Sequence, residues 1–300
     1  MINIDFLICN YNTYNLLDNC LNSILNLKSN NLSINIFIYD NNSNDISLSI
    51  LHKYEKHDFI HVIYGESNLG YGKAINFIFN ISSADFIFIL NPDTILDFNS
   101  EQLLNLCKSM KNYEISGFKI LNPERTIQQH ATFEPGLFWL FVSLLRKGYP
   151  FLMNHIHRLY FSIKSTKFKN ENIFISGCAL LMNRTVFKTL GGFNEIYFLY
   201  FEDTELLKNA KYNNYKISES DLTILHNASF SVKNSNIKIK TELYKSALLY
   251  YKTNFSRIKY YTSKQILFMA SFLCLINPIN LFFRKNTRYF FELISISFKF

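Results

Sequence analysis

Four places along the chain set side chains capable of chemistry at short spacing. Asn91, Pro92 and Asp93 close the apolar run 86–90 with a single carboxylate. A turn accounts for that pattern, since Asn, Pro and Asp are all turn residues. So does a cation site, because a hard divalent ion takes oxygen ligands and completes its shell with water and substrate phosphate. His226 ends a later apolar run and would add a nitrogen ligand to an Mn²⁺-like ion. Glu202 and Asp203 follow six residues of which four are aromatic. A carboxylate walled by rings loses hydration, its pKa rises, and it becomes a base for a hydroxyl proton. The same acids would also sit well in the first turn of a helix, where the dipole favours them. Finally, Asn68, Gly70, Gly72 and Lys73 mark a loop opening a helix, where backbone can approach a ligand and Lys73 can meet a phosphate or a base. This loop is neither G-x-G-x-x-G nor G-x-x-x-x-G-K-[ST], so dinucleotide binding and ordinary P-loop hydrolysis are not supported.

The elements that must carry these residues alternate strand and helix. Residues 3–9, 34–40, 59–65 and 85–90 are short apolar strands, and 222–227 is a later one ending at His226. Between the first two, Leu16, Leu17, Cys20, Leu21, Ile24 and Leu25 form one helical stripe. The polar run 41–45 caps a second helix, and another starts near Glu202. Helical periods between short apolar strands predict βαβ units in a mainly parallel sheet, an α/β fold. In such a sheet ligands bind beyond the carboxyl ends of the strands. Three ends there are polar: Asn10 and Asn12, Asp40 and Asn41, and Asn91 with Asp93. All three fall on one rim, where a nucleotide would lie. Residues 136–169 are aromatic and basic with little alternation, and read as an inserted helical or lid segment.

Composition narrows the class. With 300 residues, 48% hydrophobic and 17% aromatic, the chain buries a sizeable core and is not disordered. Its five Cys stand singly at 9, 20, 107, 178 and 274, a pattern that predicts neither a disulfide framework nor structural zinc. The first residues lack a basic flank and long apolar core, so no signal peptide is expected and the chain should face the reducing cytoplasm. Charge is uneven. The chain has 31 Lys and Arg against 23 Asp and Glu; the first hundred residues hold four against ten, leaving 27 against 13 for the rest. The basic part therefore faces something anionic, or serves solubility. No nucleic-acid motif accompanies it, and nucleic acid is not an expected partner. Residues 266–283 carry no formal charge but are interrupted by Asn277, Pro278 and Asn280. That is short of the about 20 apolar residues of a bilayer span. Basic residues flank the stretch, and an interfacial helix or re-entrant hairpin fits it better, with ordinary core packing as the alternative.

Taken together these motifs resemble a family 2 glycosyltransferase of the GT-A fold, and within it the bacterial rhamnosyltransferase-like branch. The resemblance covers about residues 4–255. It is carried by ICNYNTYNLLDNCLNSI, IYDNNSNDIS, NLGYGKAINFIF, LNPDT and, most specifically, SGCALLMNRTVFKTLGGFNEIYFLYFEDTELL, followed by LHNAS and YKSALLYYKTN. It implies a GT-A domain over 1–258, with a nucleotide-binding half to about 120 and an acceptor half beyond. A C-terminal membrane-associating helical segment would follow at 259–300. Asp203 would be the catalytic base, supported by Glu202. Asn10, Asn12, Asp40, Asn41, Asn68, Gly70, Lys73, Asn91 and Asp93 would bind the nucleotide-sugar. Asp93 and His226 would hold a divalent metal, Mg²⁺ or Mn²⁺. Asn91 stands where many relatives carry the first acid of Asp-x-Asp.

The implied reaction is a single displacement that inverts the anomeric centre. It would move rhamnose from dTDP-rhamnose to a glycan acceptor, lipid-linked, in bacterial surface polysaccharide synthesis (O-antigen or capsule). The implied place is the inner face of the cytoplasmic membrane, peripheral or C-terminally anchored. Two other readings are weighed. A nucleotidyltransferase would open on a Gly-rich phosphate loop, and residues 8–15 contain no Gly. A catalytically degenerate transferase kept as a membrane-bound sugar-binding or assembly subunit would explain Asn91, but not the retained Glu202 and Asp203.

Overall fold

The computed structural model describes residues 1–14, 16–27, 29–110, 114–128, 134–167, 174–227, 237–277 and 286–300, with 161–167 and 238 by backbone alone. The described residues fall into two compact units. The first takes 1–131, 175–198 and 202–234; the second takes 132–174, 199–201 and 235–300. The units interleave along the chain, so helices on either side of residue 258 belong to the same unit.

The first unit is an α/β sheet. In chain order it holds β1 (Ile2–Asn10), α1 (Leu16–Leu25), β2 (Leu32–Asp40), α2 (Ser47–Tyr54), β3 (Ile60–Tyr64), α3 (Tyr71–Ile81), β4 (Phe86–Leu90), β5 (Thr94–Asp97), α4 (Ser100–Ser109) and β6 (Glu114–Leu121). Beyond the helical excursion of the second unit, which contains α5 (Leu137–Gly148) and α6 (Pro150–Lys167), come β7 (Ala179–Asn183), α7 (Arg184–Thr189), α8 (Glu202–Tyr212) and β8 (Lys216–His226). The sheet order is β3-β2-β1-β4-β7-β6-β8-β5. β3, β2, β1 and β4 run parallel, β7 runs antiparallel to β4 and β6, and β5 runs antiparallel to β8. The parallel half has the expected reason: its strands are apolar on both faces, and helices cover them.

Packing follows the stripes. Leu17, Cys20, Leu21 and Ile24 of α1 are buried in the core cluster with Ile4, Phe6 and Ile8 of β1. Phe6, Phe88 and Phe118 stack across the sheet at centroid separations of 4.9 Å. Asp5 is the one carboxylate inside β1; its oxygens accept from Asn35 Nδ2 and from the backbone N–H of Ser83 and Ala84, tying β1 to β2 and to the turn before β4. A buried acid is tolerated when its lone pairs are filled in this way.

Two features differ from the sequence expectations. β8 begins at Lys216, well before 222, because its first half, KISESD, is edge-like and polar and carries no apolar alternation. β5, α4 and β6 complete the sheet between the expected strand at 85–90 and the inserted segment. Residues 136–167 are helical as expected, and 168 and 169 lie outside the described residues.

The second unit is helical: α5, α6, α9 (Ile237–Asn254), α10 (Arg257–Leu275) and α11 (Thr287–Lys299). α10 packs between α5 and α11. Gly148 permits the close crossing, since a Cβ there would stand 2.5 Å from Cys274 Sγ. Trp139, Phe201, Tyr250 and Phe255 form a chain of edge-on and tilted rings inside it. Among the described residues no helix is long and apolar enough to cross a membrane. The apolar stretch 266–283 is helical to Leu275 as the end of α10; its part from Pro278 to Phe283 lies outside the described residues, as do the flanking Arg284 and Lys285. All five Cys are free.

Candidate active site

The parallel strands β1 and β2 end side by side at Asn10 and Asp40. Their polar ends are knotted together. Asn10 Nδ2 donates to Asp40 Oδ1 at 2.7 Å and to the Ser43 and Ser47 hydroxyls at 3.2 Å. Asp40 Oδ2 accepts from the Ser43 N–H at 2.9 Å. Asn12, at φ 51°, accepts from the Asn44 N–H through Oδ1 at 2.8 Å. Four polar residues at two strand ends thus become a fixed floor.

Asn41 carries that floor to the next loop. Its Oδ1 accepts from the Leu69 N–H at 2.9 Å, and its Nδ2 donates to Gly70 O at 3.2 Å and to Cys9 Sγ at 3.1 Å. Asn68 Oδ1 accepts from the Gly70 N–H at 2.9 Å. Gly70 caps α3 at φ 88°, and a Cβ there would meet Phe198 O at 2.4 Å, so only glycine fits. The Tyr71 N–H donates to the same carbonyl at 2.9 Å. Gly72 lies in the first turn of α3, where a Cβ would stand 3.1 Å from the Phe193 Cβ and 3.7 Å from the Glu202 Cβ. Lys73 is exposed and has no ion pair among the described residues; its ammonium is not brought to the carboxylates.

At the end of β4 the Asn91 N–H donates to Cys178 O at 2.9 Å, and the Asn91 carbonyl accepts from the Thr94 N–H and hydroxyl, closing the turn around Pro92. Asp93 is buried behind it. Its Oδ1 lies 3.4 Å from His226 Nε2, because Thr94 pairs with His226 across β5 and β8. Gln128 orients the ring. Its Nε2 donates to Asn122 Oδ1 at 2.9 Å, which leaves its Oε1 to face His226 Nδ1 at 2.7 Å. A proton on Nδ1 is donated to that oxygen, and Nε2 faces the Asp93 carboxylate. Such an outer partner sets the tautomer of a metal-ligating histidine. The donor set, one oxygen and one nitrogen, fits a divalent ion of the Mn²⁺ kind. Among the described residues no group of three or more His, Cys, Asp or Glu is placed to hold a metal. An octahedral ion here would therefore draw its remaining ligands from phosphate oxygens and water.

Asp203 opens α8 and is half-buried. Its Oδ2 accepts from the Gly177 N–H at 3.0 Å and its Oδ1 from the Thr204 N–H at 2.7 Å. Burial raises its pKa, against the lowering effect of those hydrogen bonds. Glu202 is more deeply buried, and desolvation, with the neighbouring Asp203 charge, pushes its pKa up to about 8. Its Oε2 and the Tyr71 hydroxyl are buried without hydrogen-bond partners among the described residues. At neutral pH Glu202 holds its proton, and Asp203 is the one of the two able to carry charge. Cys178 joins the two carboxylate sites. Its thiol is pushed up to about 12, by burial first and then by the charges of Asp93 and Asp203.

The aromatic wall expected before Glu202 is only half present. Phe198 is exposed and Tyr200 half-buried, but Tyr197 and Phe201 are core residues, Tyr197 donating its hydroxyl to Glu205. Tyr200 and Phe201 both take left-handed backbone, at φ 70° and 72°. An open cavity of about 430 Å³ is lined by Asn76, Gly191, Gly192, Asn194, Glu205 and Asn209. It lies away from these carboxylates, and its Asn76 and Asn194 amides are already bonded to Phe193, Glu195 and Glu205.

The family model described as "Glycosyl transferase family 2" matches residues 5–191, more than half of the chain and the whole floor from Asp5 through Gly177. The chain belongs to glycosyl transferase family 2. The chain is 27% identical over 211 residues to a low-salt glycan biosynthesis hexosyltransferase of Haloferax volcanii, covering 68% of this chain and 62% of that one. It thus spans somewhat under two thirds of the length of that curated relative. Among solved structures it is similar to residues 1–349 of TarS from S. aureus, at a TM-score of 0.51, 14% identity, and 98% and 90% coverage of the two chains. It is also similar to a mannosyltransferase of Pyrobaculum calidifontis solved with GDP-Man and Mn²⁺, at a TM-score of 0.57, 13% identity, and 99% and 86% coverage. At these identities the likeness establishes the fold, and the fold is the expected GT-A architecture.

Several residues of the site carry no assigned role in the sequence alone. Gly177 sits within the most specific motif, but its role shows only in the closeness of Asp203. Gln128 has no signal at all, being one polar residue in a polar loop. Ser43 and Ser47 read as turn and cap residues, and are that, but their hydroxyls also hold Asn10.

Proposed function

We propose that the protein transfers a sugar from a nucleoside-diphosphate donor to an acceptor hydroxyl by a single inverting displacement. The observation that carries this reading is the geometry of Asp203: a half-exposed carboxylate with a raised pKa, aimed by two backbone N–H groups, beside a Glu202 that stays neutral. In this reading Asp203 takes the proton from the acceptor hydroxyl. The acceptor oxygen then bonds to C1 of the donor sugar as the bond from C1 to the diphosphate oxygen breaks. The donor lies along the rim. Asn10, Asn12, Asp40 and Asn41 frame its base, Asn68 and Gly70 pass close to it, and Lys73 and Asn91 flank the phosphates. Asp93 and His226 would hold a divalent ion, which supplies positive charge to the leaving diphosphate. The family supports a nucleotide-sugar donor, and similar structures are described with UDP, UDP-GlcNAc, or GDP-Man and Mn²⁺.

For the finer assignment we take dTDP-rhamnose as donor, on the rhamnosyl-type motif with Asn91 before Asp93, and a lipid-linked glycan of a surface polysaccharide as acceptor, met at the inner face of the cytoplasmic membrane. A thermal-shift screen of dTDP-rhamnose, UDP-GlcNAc and GDP-mannose, each with Mg²⁺ or Mn²⁺, tests the donor, because a ligand that binds only the folded state raises its apparent stability. The largest rise is expected with dTDP-rhamnose. A larger rise with another sugar nucleotide would replace the donor, and no rise with any would remove the reading.

A further inference from the structure

α10 has two faces of opposite character. Tyr260, Ser263, Leu267, Ala270 and Cys274 form a buried stripe at helical spacing, packed between α5 and α11. On the other side Ile258, Tyr261, Met269, Phe272 and Ile276 are 80%, 58%, 52%, 43% and 45% exposed. Helices against water ordinarily turn their polar residues outward. Here the serines 263 and 271 are inside, and the outward row is aliphatic and aromatic, interrupted by Gln265. The apolar surface continues onto α11. Phe298 is 72% exposed and meets Phe268 edge-on at 5.5 Å, and Phe268 stacks on Phe272 at 6.2 Å.

The charge around this face is mainly positive, although α11 also carries Glu292. α5, α6 and α10 contain no Asp or Glu. The helical unit as a whole carries 17 Lys and Arg against four acids, whereas the sheet unit carries 14 against 19. The basic character noted in the sequence is therefore a property of one unit, not of the back half of the chain. On α10 itself Lys259 and Lys264 set their ammonium groups over rings, with Nζ 3.1 Å from the Phe255 centroid and 5.7 Å from that of Tyr260. Cations are thus held beside aromatic surface on this helix.

We propose that this face docks the helical unit on an anionic lipid surface, with α10 lying in the plane of the interface. The exposed Met269, Phe272, Ile276 and Phe298 enter the headgroup–acyl boundary, and the surrounding Lys and Arg meet the lipid phosphates. A second copy of this chain fits less well, since it would bring the same excess of positive charge against itself. The inference deepens the lipid-linked acceptor of the reading above, but vesicle binding needs no sugar transfer, so failure of either is distinguishable from failure of the other.

The test is sedimentation of the full chain with vesicles of phosphatidylcholine alone and of phosphatidylcholine mixed with phosphatidylglycerol. Wild type should pellet with the anionic vesicles only, and less so as salt is raised. The M269S/F272S variant, which keeps the charge, should lose about tenfold or more in vesicle affinity with its melting temperature unchanged. Three results would overturn the proposal. The wild type stays in the supernatant with both vesicles. The variant binds as tightly as wild type. Or the free protein is a dimer that M269S/F272S dissociates, which assigns the face to a second copy.

Discussion

The Gly177 N–H donates to Asp203 Oδ2 at 3.0 Å from so near that a Cβ on Gly177 would stand 2.5 Å from that oxygen and 2.6 Å from the Asp203 Cβ. The glycine is both the donor that aims the carboxylate and the gap that lets it approach. A Gly177→Ala substitution must push the carboxylate aside, and a displacement of about 1 Å at a reacting group costs on the order of 100-fold in rate. The expected result is a fall in kcat of about that size, with donor affinity within about twofold of wild type. Steady-state kinetics with calorimetric donor binding would show it, and an unchanged kcat would remove Asp203 from the reacting centre.

Asp203→Asn keeps the shape and removes the base. Sugar transfer should drop by about 10²–10⁴-fold, the usual range for a general base, while the donor still binds. In the wild type kcat/KM should rise with pH to a plateau, entering it above the ordinary carboxylate range because burial raises the Asp203 pKa. Turnover near the wild-type level in Asp203→Asn would favour the degenerate-transferase reading or a different base.

Glu202 predicts a pH dependence of stability. Its pKa rises from 4.5 to about 8 on folding. Between those values the folded protein keeps a proton that the unfolded chain has released, so stability falls as pH rises through the window and levels off above it. The contribution is on the order of 5 kcal/mol over the window, from about 1.4 kcal/mol per pH unit. In urea titrations at pH 5, 6, 7 and 8, Glu202→Gln should gain on wild type steadily with pH. Parallel curves for the two proteins would contradict a neutral Glu202.

Asn41 holds the 68–70 loop from below by two hydrogen bonds and ties it to Cys9 of β1 by a third. Asn41→Ala leaves Gly70 O and the Leu69 N–H without that partner, a loss of about 2–3 kcal/mol in unfolding free energy. Donor affinity should weaken with it, since the loop is the near wall of the proposed base site. Unaltered affinity in a destabilised Asn41→Ala protein would confine the residue to folding.

Asp93 and His226 predict a metal term in donor binding. Asp93→Ala should abolish the gain in donor affinity that Mn²⁺ gives wild type, and leave the affinity in EDTA unchanged. Gln128→Ala, which frees the ring of His226, should weaken the Mn²⁺ effect by about 10–100-fold, as removal of an outer partner does. Calorimetry with and without metal separates the two. An equal Mn²⁺ effect in wild type and Asp93→Ala would move the ion elsewhere.

Much of the parallel half was legible because its signals are strong and local. The strands at 3–9 and 34–40 are near-continuous apolar runs, and their polar ends at Asn10 and Asp40 lie on the rim that topology predicts. What was hidden depends on distance in the fold. β8 starts with charged residues because it pairs near the sheet edge, so no alternation marks it. The rings at 197 and 201 could not be told from those at 198 and 200 by type, yet the first two are buried and the others are not. Gln128 reaches His226 across 98 residues, and nothing in a polar loop announces such a partner. The basic patch was visible as a tilt of charge along the chain, but the unit that owns it takes residues from both sides of β7 and β8.

The pairing of Thr94 with His226 also sets an order of events. Among the described residues β5 pairs with β8 and with no other strand, and β8 is the last strand. During synthesis β1 to β4 and their helices are available early, so the floor built by Asn10 and Asp40 can close while the rest is still being made. Asp93 has no His226 to face until more than a hundred further residues have emerged and β8 has docked, a long-range closure of the slow kind. A nascent or truncated chain would therefore own a cradle for the base before it owned the pair for the diphosphate. Competence to grip a charged donor arrives last, with the strand that completes the sheet.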